Sequence, residues 1–142
     1  MTDETSEANK DVVRCFVERF WSRGDMAAVG TLMAPDAVIH QPEVGGTDGL
    51  KQFNRTMRAA FPDWSSTVEE LVAEGDAVVE RWTGRGTHRG EFQGIAPTGR
   101  EVAVPGVVFY RLREGQIVEF RGAFDALSLL QQLGAAPPPA GA

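Results

Sequence analysis

Three side chains in this chain have the type and setting to move a proton. Asp125 follows the apolar stretch Ile117-Val118-Glu119-Phe120-Arg121-Gly122-Ala123-Phe124 and precedes a helical pattern. A carboxyl at the end of a strand suits general acid/base work, and an Asp at that position also suits a helix N-cap. The two roles do not exclude each other. His88, in Gly86-Thr87-His88-Arg89-Gly90, and His40, in Val38-Ile39-His40-Gln41-Pro42, titrate near neutral pH and can shuttle protons or polarise a carbonyl. Each fits equally well as a hydrogen-bonded structural histidine. They stand too far apart in sequence for a zinc-ligand spacing, and no metal site is expected. The chain has no GxSxG, no Cys–His–Asn arrangement and no glycine-rich phosphate loop, so nucleophilic hydrolysis and nucleotide binding have no motif behind them. Glu69 and Glu70 read as solvated.

These residues need elements to position them. Val12, Val13, Phe16, Val17, Phe20 and Trp21 recur at helical spacing and predict an amphipathic helix over Asn9–Arg23. Cys15, the single cysteine, is expected as a small core or boundary residue there. Gly24 ends this helix, Asp25 can cap a short second one, and Pro35 stops that. Ala37–Gln41 is a strand candidate. Leu50, Phe53, Met57 and Ala60 predict a third helix from about Gly49 to Phe61. Trp64–Glu74, Ala77–His88, Val102–Leu112 and Ile117–Phe124 then read as strands. Gly75-Asp76 and Glu114-Gly115 form tight hairpin turns between them. Ala126–Leu133 is a final short helix. Helices first and antiparallel strands after them indicate an α+β fold. The expected shape is a cone: a curved antiparallel sheet with the N-terminal helices on its concave face and one open mouth, a natural small-molecule site. Regular alternation along the last strand would put Glu119, Arg121 and Asp125 on one face.

The chain has 142 residues, enough for one domain. Residues 1–8 are expected to be a flexible start, 9–134 the domain, and 135–142 a disordered Ala/Pro tail. A net charge of −6 with no basic cluster excludes nucleic acid and anionic membranes as expected partners. The chain has no apolar run of membrane-spanning length and a polar N-terminus, so a cytoplasmic protein is expected.

A set of segments in order carries a family resemblance. It comprises Asp36-Ala37-Val38-Ile39-His40, Ala60-Phe61-Pro62-Asp63, Gly86-Thr87-His88-Arg89-Gly90-Glu91-Phe92, Gly94-Ile95-Ala96-Pro97-Thr98-Gly99-Arg100 and Asp125 through Gly134. Over about residues 9–134 the sequence resembles the SnoaL-like polyketide cyclases of the nuclear-transport-factor-2-like superfamily. The resemblance implies the cone-shaped fold, a homodimer or higher oligomer built on the sheet's outer face, and no cofactor. It implies intramolecular aldol ring closure on a hydrophobic substrate, with Asp125 as general acid/base. One carboxyl in a dry pocket can take the proton from carbon and return it to oxygen.

In that reading His88 assists Asp125, and Arg121 and His40 bind substrate. Trp82, Tyr110, Phe53 and Trp64 are candidate pocket walls. The sequence departs from the cyclases in having no histidine in Gly106–Leu112, and in having Arg121 where relatives often carry Trp. A guanidinium beside Asp125 would hold it ionised and favour an anionic or carbonyl ligand. Arg121 paired with Glu119 or Glu101 is the plainer reading. Isomerases, epoxide hydrolases and hydroxylase-like proteins share the fold, as do non-catalytic ligand binders, and these stay open as alternatives.

Overall fold

In a computed structural model, which describes residues 4–41 and 45–135, the apolar periodicity of the first helix emerges as two kinds of helix. Helix α1 (Glu4–Phe16) begins ahead of Asn9, so residues 4–8 are helical and not part of a loose start. It runs on as a π-helical segment, Val17–Ser22. Val13, Phe16, Val17 and Phe20 form the buried face. Cys15 falls outside that stripe and is exposed, which corrects its expected place in the core or at its boundary. The segments α2 (Ala27–Leu32), β1 (Met33–Gln41) and α3 (Gly46–Ala60) follow. Four strands come next, β2 (Ser65–Glu74), β3 (Ala77–Thr87), β4 (Glu101–Arg113) and β5 (Gln116–Phe124), and then α4 (Ala126–Gln132). The expected tail lies outside the described residues, apart from Ala135.

The strands form one curved, unclosed five-stranded sheet in the order β1-β5-β4-β3-β2. Strands β2 to β5 make an antiparallel meander, and β1 adds to β5 in parallel. Both hairpins turn in two residues. Glu114 (φ 52°) and Gly115 (φ 75°) both take positive φ, as the favoured two-residue turn demands.

Register shifts in β2–β3 and β4–β5 are β-bulges, which add bend and twist. The β5 shift decides which residues face inward. Leu112 pairs with Ile117 while Arg111 pairs with Glu119, leaving Val118 as the extra residue. Ile117 and Phe120 are therefore both buried, and from Phe120 onward the even-numbered residues point inward.

One core cluster joins Phe16, Phe20, Val78, Tyr110, Ile117 and Phe120 under α1. A second joins Met57, Phe61, Trp64, Val104 and Leu129 near α3 and α4. No described helix is long and apolar enough to cross a membrane.

Candidate functional site

A cavity of about 260 Å³ opens between the inner face of the sheet and the helices. Strand pairing builds its floor from two rows. Glu80 of β3, Val108 of β4 and Gly122 of β5 are consecutive cross-strand partners. Two residues further along, Trp82, Gly106 and Phe124 form the next row. Phe120 extends the β5 side.

Trp21 from the π-helical segment, Phe53 and Met57 from α3, and Trp64 just before β2 supply the walls. Side chains of α3 hold two of these walls by their backbone. Asn54 Nδ2 donates to the Phe20 carbonyl at 2.8 Å. Arg58 Nη1 donates to the carbonyls of both Trp21 (2.9 Å) and Trp64 (3.2 Å). The π-helix has shifted its hydrogen-bond ladder, and α3 takes up carbonyls next to the cavity.

Among the described residues, Glu80 is the single titratable side chain lining the cavity, and it is 1% exposed. Tyr110 Oη donates to Glu80 Oε1 at 2.7 Å. Glu80 Oε2 is buried and has no hydrogen-bond partner among the described residues. Burial raises the Glu80 pKa from its ordinary 4.5 to about 7, against the opposing pull of the Tyr110 hydrogen bond. Tyr110 is fully buried. Burial, and then the adjacent Glu80 charge, push its pKa well above the ordinary value, so it stays a donor. The arrangement anchors one carboxyl oxygen and leaves the other, itself buried, without a hydrogen-bond partner among the described residues.

Sequence reasoning passed over Glu80 because Glu next to Arg81 reads as surface. The signal was nonetheless present: on a period of two, Glu80 shares the face of Val78 and Trp82, and a carboxyl amid apolar neighbours on a central strand demands a reason.

The structure places the other candidates as follows. Trp64, Trp82 and Phe53 line the cavity, and Tyr110 lies behind it, reaching it through Glu80. Asp125 is exposed. Its Oδ1 accepts from the Ser128 amide at 2.9 Å and caps α4, and it is not among the cavity's lining residues, although Phe124 and Ala126 on either side are.

Arg121 was expected on the pocket side. The bulge at Val118 puts Phe120, Gly122 and Phe124 inside, and Arg121 is exposed on the outer face with Nη2 3.8 Å from Glu119 Oε2. His40 Nε2 lies 2.8 Å from the same carboxylate, and Arg111 Nε donates to Glu119 Oε1 at 3.3 Å. The Glu119 pKa is lowered mainly by the His40 hydrogen bond. His40, Arg111, Glu119 and Arg121 are thus one ion-pair cluster and do not reach the cavity.

His88 is fully buried against Phe61, outside the lining. Its Nδ1 accepts from the Thr98 amide at 3.2 Å and lies 3.0 Å from Thr98 Oγ1, while Nε2 is buried with no hydrogen-bond partner among the described residues. No group of three or more metal-ligating side chains gathers among the described residues.

A curved, unclosed sheet with helices packed across an aromatic cavity is the nuclear-transport-factor-2-like architecture. The family model for SnoaL-like polyketide cyclases matches residues 11–133, and the chain belongs to that family. Among solved structures, AclR from Streptomyces galilaeus, a proposed hydroxylase, is similar at 29% identity. That match covers 95% of this chain and 91% of that one, with a TM-score of 0.86. IdmH from Streptomyces antibioticus, a proposed polyketide cyclase, is 35% identical over 89% of this chain and 98% of its own, with a TM-score of 0.81. A proposed SnoaL-like polyketide cyclase from Jannaschia is 28% identical over 96% and 97%, with a TM-score of 0.82. No curated protein matches.

Proposed function

We propose that this protein is an acid/base enzyme, working without a cofactor, that closes a ring in a hydrophobic carbonyl compound by intramolecular aldol addition, with Glu80 carrying the proton. The observation behind this reading is the position of Glu80: a buried acidic residue in the lining of an apolar cavity, anchored through Oε1 by Tyr110, with Oε2 unpartnered among the described residues.

A carboxyl with a pKa near 7 is matched to proton transfer at neutral pH. In its ionised form Oε2 removes a proton from the carbon beside a carbonyl. The resulting enolate carbon bonds to a second carbonyl carbon of the same molecule. That carbonyl's oxygen becomes an alkoxide and takes the proton back from Oε2. Atoms and charge balance, and the carboxylate is regenerated. Tryptophan and phenylalanine walls exclude water and hold the chain folded for attack.

The test uses an aromatic ketone bearing a tethered keto ester. Turnover gives a product of unchanged mass and new retention, and Glu80→Gln removes it. Closure that survives Glu80→Gln and is lost in Asp125→Asn would assign the proton to Asp125, whose neighbours Phe124 and Ala126 line the cavity. A hydroxylase-like reaction is the second reading, favoured by the likeness to AclR. It is separated by mass, since hydroxylation adds an oxygen and aldol closure adds nothing. The chain is further proposed to pair as a homodimer through the sheet's outer face, where Val107 is 46% exposed. Val107→Glu should then shift the sedimentation coefficient to the monomer's, and an unchanged value argues against pairing there.

A further inference from the structure

We infer that Gly84 and Gly106 are specificity-determining positions, which reserve the cavity for flat ligands of two to three fused rings without an acidic group. The inference rests on the cavity being the substrate site, and it adds which molecules that site accepts.

Both glycines have negative φ, so backbone strain does not call for them. What calls for them is the side chain packed on each. A Cβ at Gly106 would overlap Trp82 Cζ2 and Cε2 and lie 2.8 Å from Nε1. Gly106 is also the direct cross-strand partner of Trp82, so the indole lies over the bare backbone of the next strand.

Gly84 stands two residues beyond Trp82 on the same face. A Cβ there would overlap Trp64 Cζ2, lie 2.7 Å from Trp64 Cη2 and 2.9 Å from Trp82 Cζ3. Two of the three indoles lining the cavity, those of Trp64 and Trp82, therefore meet over Gly84. Each is sunk toward the sheet by about the depth of a missing side chain, and the space they release belongs to the cavity.

Size and charge follow from the same wall. A cavity of about 260 Å³ lies just below the roughly 300–1,000 Å³ of sites for drug-sized ligands, which suits a molecule of two to three rings. Among the described residues the lining contains no Lys, Arg or His, and Glu80 is its one ionisable group. An acidic ligand would be buried beside a carboxyl without a counter-charge, which is strongly unfavourable. Indole faces and the bare Gly122 of the floor suit stacked planar rings.

Binding of acetophenone (one ring) and acetylnaphthalene (two rings) is measured calorimetrically on the wild-type chain, Gly106→Ala, and Gly106→Ala combined with Trp82→Phe. The added Cβ should lift the Trp82 indole into the cavity. The Kd for acetylnaphthalene should then rise about tenfold or more, and that for acetophenone less than about twofold. Trimming the indole in the double variant should return the two-ring ligand to within about threefold of wild type.

Equal weakening of both ligands, no weakening, or no recovery in the double variant would overturn the inference while leaving the proposed chemistry standing. Failure of the wild-type chain to bind either ketone would sink both. Should Gly106→Ala not fold, Trp82→Phe alone decides: it should tighten acetylanthracene relative to acetylnaphthalene, and an unchanged ratio overturns the inference.

Discussion

Glu80 makes this protein's stability depend on pH in a calculable way. The perturbation is Glu80→Gln, which keeps an acceptor for the Tyr110 hydroxyl while removing the charge. In the folded chain the Glu80 pKa is raised from an ordinary 4.5 to about 7. Between these values the folded chain holds a proton that the unfolded chain has released, so stability falls as pH rises through the window. At about 1.4 kcal/mol per pH unit, the gap amounts to about 3 kcal/mol, lost progressively above pH 4.5 and fully lost above pH 7. For a chain of this size that is roughly 10 °C in Tm.

Asp63 and Glu119 titrate on the other side. Their pKa values are lowered, so their contribution is lost only as pH falls below the carboxylate range. The assay is thermal unfolding of both proteins from pH 4.5 to 8.5, read as the Tm of Glu80→Gln minus that of wild type. This difference should rise by roughly 10 °C across the window, because Gln cannot ionise. A difference that stays constant with pH would refute the reasoning, since Glu80 would then carry no raised pKa.

Tyr110→Phe removes the one hydrogen bond that opposes the effect of burial, so the inflection of rate against pH should move above 7; a profile that stays in place would deny the contact any part in tuning. Asp125→Ala should cost about 1 kcal/mol in denaturant unfolding, while Asp125→Asn, which still caps, should cost a few tenths and leave turnover intact. Arg58→Met frees the carbonyls of Trp21 and Trp64, and is expected to lower stability by about 2 kcal/mol in urea and to raise KM more than it lowers kcat.

The helices and hairpins were legible because their signals are local. Val13, Phe16, Val17 and Phe20 mark a helix face, and Gly75-Asp76 and Glu114-Gly115 mark two-residue turns, all without knowledge of the rest of the chain. Among the aromatic residues that line the cavity, Trp64, Trp82 and Phe53 are recognisable in the sequence as large apolar side chains, whereas Trp21 reads only as part of a helix face.

The rest depended on strand register, which is not local. A bulge at Val118 reverses the face of every later β5 residue, so alternation counted from Ile117 assigned Arg121 to the wrong side. His40 looked like a binding residue because its partner, Glu119, lies 79 positions away. Glu80 resembles any surface glutamate until β4 brings Val108 opposite it and Tyr110 onto its carboxyl. Asp125 illustrates the reverse: its helix-capping role was readable from sequence, and the structure adds that its carboxyl is exposed.

The central claim is that Glu80 moves a proton at a carbon beside a carbonyl. The direct measurement is exchange of the methyl protons of acetylnaphthalene for deuterium in D2O, followed by NMR with wild type, Glu80→Gln and Asp125→Asn. Wild type and Asp125→Asn should accelerate exchange over buffer with an inflection near pH 7, and Glu80→Gln should fall to the buffer rate. Exchange that persists in Glu80→Gln and vanishes in Asp125→Asn would contradict the assignment.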